Sequence, residues 1–287
     1  MIKFCIESHI NNLNENTERI RANFKKINYL PCLNRFKKLQ ILWCYDNQLT
    51  YLPNLSLLEN LQELICCNNQ LIYLPRLNKN LTILNCSNNN LSFLPILNEN
   101  LKILYCCNNQ LTSLPILNEN LKILNCSNNQ LTSLPRLNEN LQELNCSNNQ
   151  LTSLPRLNEN LQILNCRNNQ LTSLPNLSLL ENLQILNCSI NQLTSLPILN
   201  DNLNLLYYFY NPIYTIIDSD NLVIIRKKLK ILYIFRHLYY CLKFKPHFRH
   251  LLWKIREPKI MQKYHPSYLD ELLKDENIDI DMVLDNW

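Results

Sequence analysis

The sequence predicts a solenoid of stacked short repeats, with a parallel β-sheet on its concave face, an extended and irregular convex side, and a small helical cap at the C-terminal end. Two observations support this prediction. A segment such as LNENLQELNCSNNQLTSLPR nearly overlays itself after 20 residues. The 287 residues also include no glycine but 48 asparagines, and asparagine tolerates the left-handed backbone of tight turns better than other non-glycine residues.

Cysteines mark the phase of this repeat. Eight of the 13 cysteines follow one another at intervals of 22, 20, 20, 20, 20, 20 and 22 residues. The two longer intervals share the sequence NLSLLENL, so we assign the insertion to an outer loop. Such a ladder differs from a disulfide framework, and we expect buried, reduced side chains. The ladder consists of Cys44, Cys66, Cys86, Cys106, Cys126, Cys146, Cys166 and Cys188.

Each unit reads L-x-x-L-x-C-x-x-N-x-L-x-x-L-P-x-L, and we number its places from the first leucine. Apolar residues at places 4 and 6 alternate with other residues, which is the period of a short strand. Strands from successive units are expected to pair in parallel. The proline at place 15, as in Pro135, favours an extended convex segment over a long helix.

Two rows of asparagine are predicted to form the turns. The amide at place 9 can bond to backbone groups of adjacent units. The asparagine directly before each first leucine is predicted to form a bend that leads into the strand, with left-handed backbone in place of glycine. The first row is Asn47, Asn69, Asn89, Asn109, Asn129, Asn149, Asn169, Asn191 and Asn211. The second row is Asn60, Asn80, Asn100, Asn120, Asn140, Asn160, Asn182 and Asn202.

The unit resembles that of leucine-rich-repeat proteins, with cysteine where leucine or another aliphatic residue is usual. Its short length and LP step are similar to the bacterial-effector subclass of that family. The resemblance covers residues 39–213 closely and implies a non-enzymatic scaffold that binds proteins. We predict an N-terminal cap with a degenerate repeat at 1–38, the repeats at 39–216, and a basic helical module with an acidic tail at 217–287.

The concave face is the predicted binding surface. Places 3, 5 and 7 of each unit are expected to point outward, and they carry isoleucine, asparagine and serine with few charges, which suggests a protein partner. Positions where the units differ, and aromatic residues above all, are the better pointers to function. The alternative is an unspecialised surface left by duplication. The predicted partner-binding residues are Trp43, Tyr45, Glu63, Ile83, Ile103, Tyr105, Ile123, Glu143, Ile163 and Arg167.

No catalytic, cofactor or metal site is predicted. The absence of glycine excludes the P-loop, the dinucleotide-binding fingerprint, the kinase glycine-rich loop and the G-x-S-x-G nucleophile elbow. His237, Cys241, His247 and His250 have spacings that zinc ligands could use, but a C-x-x-C pair is missing. Cys241 as a ubiquitin-ligase nucleophile fails because no C-x-D motif is present and the module is short.

The C-terminal module separates its charges. From Arg226 to Lys263 there are 12 Lys and Arg residues against Glu257 alone, whereas an acidic tail follows. The sequence DSDN at 218–221 is a helix start, and Leu222, Ile225 and Leu229 form one apolar face. Two alternatives to a simple cap remain: an adaptor that docks a second component such as ubiquitin machinery, or contact with nucleic acid or an anionic membrane, which the acidic tail disfavours.

The sequence also bears on location. The N-terminus lacks the pattern of a secretory signal, and no uncharged apolar run is long enough for a membrane span. Together with reduced cysteines, this predicts an intracellular protein. The segment KFKPHFRHLLWKIREPKIMQKYHPSYLDELL resembles a tail of hypothetical proteins from giant DNA viruses, and the Asn, Ile, Lys and Tyr bias fits an AT-rich genome. The resemblance implies a site of action in the host cytoplasm or the virion.

Overall fold

The computed structural model describes residues 4–236, and its chain divides into two compact units, Met1–Leu229 and Lys230–Trp287. Helix α1 spans Ile6–Asn11 and α2 spans Tyr214–Ile217, and residues 222–236 are helical and are called α3. The strands are β1 (Arg19–Arg21), β2 (Ile41–Trp43), β3 (Glu63–Ile65), β4 (Ile83–Asn85), β5 (Ile103–Tyr105), β6 (Ile123–Asn125), β7 (Glu143–Asn145), β8 (Ile163–Asn165), β9 (Ile185–Asn187) and β10 (Leu205–Tyr207).

The ten strands form one sheet in sequential order, and every described pair is parallel. Each strand pairs with the next at identical places of the unit, so that Ile103 lies beside Ile123 and Tyr105 beside Asn125. The segments between β2 and β10 contain turns and extended chain but no helix. The predicted solenoid, with its parallel sheet and irregular convex side, is confirmed.

Leucine and cysteine form a continuous core beneath the sheet. The central residue of each strand from β2 to β9 is buried, and its two neighbours are half-buried. All eight ladder cysteines are fully buried and free of disulfide bonds, which confirms their structural role. Burial raises the pKa of every ladder thiol, in the case of Cys146 and Cys188 from 9.0 to about 12. In the folded chain these thiols are therefore protonated and weakly reactive.

This burial predicts a loss of stability in alkali. Between pH 9.0 and about 12, Cys146 is a thiol in the folded chain but ionises when the chain unfolds. The unfolded state then binds fewer protons, so stability is intact below the lower value and falls as the pH rises. Over this range the free energy of unfolding should fall with pH less steeply for the Cys146→Ala variant than for the parent. The two slopes should differ by about 1.4 kcal/mol per pH unit. Urea unfolding from pH 7 to pH 11 measures this, with the exposed Cys32→Ala variant as control, and equal slopes in all three proteins would contradict the prediction.

The place-9 asparagines connect each repeat to its neighbour. Nδ2 of Asn129 donates to the carbonyl oxygens of Cys106, Cys126 and Ser127 at 3.0–3.1 Å, and its Oδ1 accepts the N–H of Leu111 at 3.0 Å. The same pattern recurs from Asn47 to Asn211. The prediction that this row satisfies the backbone of adjacent units is confirmed.

The second asparagine row does not provide the left-handed turn, and that prediction is wrong. Positive φ falls at place 8, three residues after the end of the strand, for example at Asn128 with φ 53°. The asparagine before the first leucine lies in a different turn, where its Nδ2 donates to the preceding repeat, as from Asn120 to the Glu99 carbonyl at 2.8 Å. The left-handed residues of the repeats are Asp46, Asn68, Asn88, Asn108, Asn128, Asn148, Asn168, Ile190 and Tyr210.

The last repeat ends against helical segments, as the sequence predicts. Tyr208 replaces the ladder cysteine, is fully buried, and donates its hydroxyl to the Ser219 carbonyl at 2.6 Å. Oδ1 of Asn221 accepts the N–H groups of the next residues at the start of α3. On the same helix Ile225 and Leu229 are buried. The domain boundaries at 38 and 216 stay predictions.

Candidate functional site

The solvent side of the sheet, here called the sheet face, carries the predicted binding residues. Places 3 and 5 lie on either side of the buried central residue of each strand, and both are half-buried from β2 to β9. The structure therefore brings all the predicted residues of these two places onto one surface. They are Trp43, Glu63, Ile83, Ile103, Tyr105, Ile123, Glu143 and Ile163.

The middle of the sheet face is an uncharged patch. On β4, β5 and β6, place 3 is isoleucine in each strand, and place 5 holds Tyr105 between two asparagines. With parallel strands about 4.8 Å apart, these three strands are about 14 Å wide. Glu63 borders the patch on β3, and Glu143 borders it on β7. An uncharged centre with charged residues at its margin is the usual anatomy of a protein–protein interface.

Place 7 only partly fits the outward row that the sequence predicts. Arg167 is exposed, and Tyr45, Cys67 and Cys107 are half-buried. The serines at this place are buried, so the expectation that they face outward is wrong. Their backbone N–H, and in two repeats their hydroxyl as well, bonds to the asparagine two residues earlier, as between Ser127 Oγ and Asn125 Oδ1 at 2.7 Å. The buried members are Ser87, Ser127, Ser147 and Ser189.

Trp43 is held in a defined orientation at the N-terminal end of the sheet face. Its Nε1–H donates to Glu63 Oε1 at 2.8 Å, and the guanidinium of Arg21 lies 4.8 Å from its ring centroid. The ring of Tyr45 is 6.5 Å away. Tyr45 in turn meets Phe24 edge to face, with ring centroids 5.1 Å apart. These four contacts make a continuous cluster that spans the first three strands.

Sequence reasoning missed the contribution of β1 to this cluster. Arg19 and Arg21 pair with Ile41 and Trp43, so they occupy places 3 and 5 of a first, degenerate repeat. Both arginines are exposed, while Ile20 between them is buried. The signal was present, because the same places lie 22 residues before Ile41 and Trp43. It was overlooked because this unit lacks the cysteine and asparagine that mark the others.

A second aromatic row lies at place 13, on a loop and not on a strand. The first four repeats have aromatic residues there, and the following repeats have serine. The signal in the sequence is a change from YLP or FLP to SLP. The members are Tyr29, Tyr51, Tyr73 and Phe93, of which the last three are exposed. This row provides exposed aromatic residues away from the sheet face, and these serve as controls for variants on it.

Within residues 4–236, no group of three or more His, Cys, Asp and Glu residues could hold a metal ion. The possible zinc ligands His237, Cys241, His247 and His250 lie outside the described residues, as does the acidic tail. Of the helices in the described part, none is long and apolar enough to cross a membrane.

Two cations of the basic segment bond within the first unit. The guanidinium of Arg226 donates to the carbonyl oxygens of Asn200, Asp201 and Leu203 at 3.0–3.1 Å. The ammonium group of Lys228 donates to the Ile217 carbonyl. These contacts attach the start of α3 to the last repeat. From residue 237 onward the basic segment lies outside the described residues.

The repeating unit, the parallel sheet and the asparagine ladder define a leucine-rich-repeat solenoid. The family described as Leucine Rich repeats (2 copies) matches residues 139–179. The chain therefore contains leucine-rich repeats, which are generally non-catalytic scaffolds for protein–protein interaction. No curated protein matches the sequence.

Solved leucine-rich-repeat structures resemble this chain over most of its length. YopM of Yersinia pestis, described as a leucine-rich effector protein, is 33% identical with a TM-score of 0.65, over 72% of this chain and 57% of that one. YopM of Yersinia enterocolitica is also 33% identical, with a TM-score of 0.61, over 70% of this chain and 48% of that one. This chain thus spans about half the length of those proteins. The Drosophila Toll–Spätzle complex is 24% identical with a TM-score of 0.56, over 73% of this chain and 35% of that one, and shows the fold alone.

Proposed function

We propose that this chain is a non-enzymatic scaffold that binds a protein partner through the sheet face. The observation that supports this most is the uncharged patch on β4, β5 and β6, where Ile83, Ile103 and Ile123 lie side by side next to Tyr105. Charged residues border this patch but do not enter it. Apolar side chains that are half-exposed on a sheet still have surface in contact with water, and covering that surface with a partner is favourable.

The surface needs little ordering before it binds. Each strand of the patch pairs with a neighbour on both sides, and each repeat is bonded to the next through its place-9 asparagine. The aromatic residues Trp43 and Tyr105 are among the types that dominate binding energies. Trp43 already has two partners that orient it. A preorganised surface of this kind loses little conformational entropy on association.

We place the protein inside the cell, in the cytoplasm of a host or in a virion. The reduced, buried cysteine ladder supports this location, because such thiols persist where the environment is reducing. A viral source and the roles of the C-terminal module remain predictions from the sequence. Docking of ubiquitin machinery and contact with nucleic acid or membranes would depend largely on residues beyond 236.

The uncharged patch can be tested by placing charge within it. The double variant Ile103→Arg, Ile123→Arg puts two cations on adjacent strands, where a partner that covers the patch would have to bury them. We expect partner affinity to fall by at least about a hundredfold, since desolvating an unpaired charge costs several kcal/mol. Partners are first identified by quantitative mass spectrometry of proteins captured from cells that express the chain, and affinity is then measured with the purified partner.

The matched control is Ile96→Arg, Ile116→Arg. These two isoleucines also lie at one place of adjacent repeats, but at place 16 in the loop, where they are 89% and 88% exposed. The Ile96→Arg, Ile116→Arg variant should bind the partner as the parent does. Circular dichroism should show the same fold for the parent and both variants. If the control pair abolishes binding and the sheet-face pair does not, the partner covers another surface and the proposed function is wrong in its central point.

A further inference from the structure

The N-terminal end of the sheet face differs from its middle in carrying positive charge. Arg19 and Arg21 stand on the same side of β1 because they alternate with the buried Ile20. The register places them next to Ile41 and Trp43. The neighbouring turn adds Lys25 and Lys26, both exposed. Residues 19–27 of the first repeat thus contain four cations and no acidic residue.

Neither Arg19 nor Arg21 is neutralised within the part of the chain that the structure describes. Their guanidinium groups form no ion pair with a carboxylate of residues 4–236. Three acidic residues lie near the cluster along the chain or across the sheet: Glu18 directly before Arg19, Asp46 directly after Tyr45, and Glu63 on β3. Asp46 accepts from Asn68 Nδ2 at 3.0 Å, and Glu63 accepts the indole N–H of Trp43 at 2.8 Å. Arg21 instead stacks on Trp43, an arrangement that leaves its outer N–H donors available for a planar carboxylate.

Phe24 adds a second indication of binding at this end. It has φ 57° and is 65% exposed, whereas six of the equivalent residues of later repeats are asparagine. A bulky side chain in left-handed backbone is strained, by about 1–2 kcal/mol. Because the ring is exposed, its burial within the fold offsets little of this strain energy. Ile190 and Tyr210 share this left-handed backbone at the same place, so the indication of binding is the exposed ring of Phe24, which extends the aromatic surface of Tyr45.

We propose that this cluster binds an extended acidic segment of the partner protein. A glutamate or aspartate of that segment pairs with Arg19 and Arg21, and an apolar side chain close to it packs on Trp43, Tyr45 and Phe24. Charge complementarity supports this: two arginines that pair with no carboxylate of residues 4–236 lie at the edge of an aromatic surface whose Glu63 already accepts a hydrogen bond from Trp43. The proposal rests on the proposed function and specifies the chemistry of the partner.

Selection from a displayed library of random dodecapeptides, with the purified full-length chain as bait, tests this. We expect the enriched sequences to combine Asp or Glu with a neighbouring Leu, Phe or Trp. Synthetic peptides of these sequences should bind the Arg19→Gln, Arg21→Gln variant about tenfold more weakly than the parent. Binding to the parent should also weaken as salt is raised, because exposed ion pairs are screened.

The matched control is Arg136→Gln, Arg156→Gln, which removes two exposed arginines from the loops of later repeats. It should bind the selected peptides as the parent does. Enriched peptides without acidic residues, equal binding to the Arg19→Gln, Arg21→Gln variant, or no enrichment would overturn the proposal. So would binding of single-stranded RNA or phosphatidylserine vesicles, but of no peptide, through the same two arginines.

Failure of this proposal is distinct from failure of the proposed function. If the partner is lost with Ile103→Arg, Ile123→Arg and retained with Arg19→Gln, Arg21→Gln, the sheet face binds a protein but not through an acidic segment at its N-terminal end. If both pairs of substitutions leave the partner bound, the proposed function itself is wrong.

Discussion

Replacing Asn129 with alanine should lower the free energy of unfolding by about 3 kcal/mol, because two N–H donors and one acceptor are lost at about 1 kcal/mol for each hydrogen bond. The two Nδ2 protons are shared among three carbonyl oxygens, and Oδ1 accepts the Leu111 N–H. The carbonyl of Cys106 keeps a second donor in Asn109. The backbone N–H of Leu111 loses its acceptor inside the core, which makes this position more sensitive than an exposed amide.

Replacing Asn129 with alanine should reduce the free energy of unfolding more than replacing any nearby amide residue on the surface. Gln130, the next residue, is exposed, so Gln130→Ala should change stability by no more than about 0.5 kcal/mol. Asn129→Asp keeps the acceptor but has no donor for three carbonyl groups, so it should destabilise the chain at least as much as alanine does. Urea unfolding followed by circular dichroism measures all three. If Asn129→Ala behaves like Gln130→Ala, the asparagine ladder does not connect the repeats as described.

Trp43→Ala should weaken partner binding by about 2–3 kcal/mol, which is about thirty- to 150-fold. The indole is oriented on both sides, by Arg21 above the ring and by Glu63 at its N–H. A partner that covers the part of the ring that Arg21 leaves open gains that contact area at little ordering cost. The variant loses that area and releases Glu63 from its hydrogen bond. Affinity is measured by titration calorimetry with the purified partner.

Phe93→Ser is the matched control for this prediction. It removes an exposed aromatic ring from place 13 and restores the serine of later repeats. It should bind as the parent does. Trp43→Phe retains a ring but not the bond to Glu63, and should be intermediate. If Trp43→Ala binds normally while Ile103→Arg, Ile123→Arg does not, the energetic centre of the interface is the uncharged patch and not its N-terminal end.

The interior of this fold could be predicted from the sequence because residues at the same place have the same environment in every repeat. Cys126 and Asn129 recur at one place in unit after unit, so their burial and bonding follow from the periodicity. The left-handed turn could not be assigned, because both Asn120 and Asn128 are asparagines and composition does not distinguish them. The two are distinguished by the backbone: the left-handed residue is Asn128, three residues after the end of β6, and Asn120 donates to another repeat.

The candidate site was only partly predictable, for a related reason. Trp43 and Tyr105 stand out because they depart from the repeat, whereas Arg19 and Arg21 lie in a degenerate unit that lacks the cysteine and the asparagine of the others. The spacing of 22 residues and the strand pairing both place them beside Ile41 and Trp43. Likewise, place 7 alternates with buried residues, yet Ser127 is buried because it is small and bonds back to Asn125. The exposure of a side chain at place 7 therefore depends on its neighbours in space and not on its position in the alternating pattern of the strand.

The most direct test of the sheet face is photocrosslinking from two positions of one repeat. A photoreactive amino acid is placed at Ile103, on β5 at the centre of the uncharged patch, or at Ile116, which is 88% exposed in the loop. If the partner binds the sheet face, a covalent adduct with the partner forms from position 103 and none forms from position 116. An adduct from position 116 alone would contradict it.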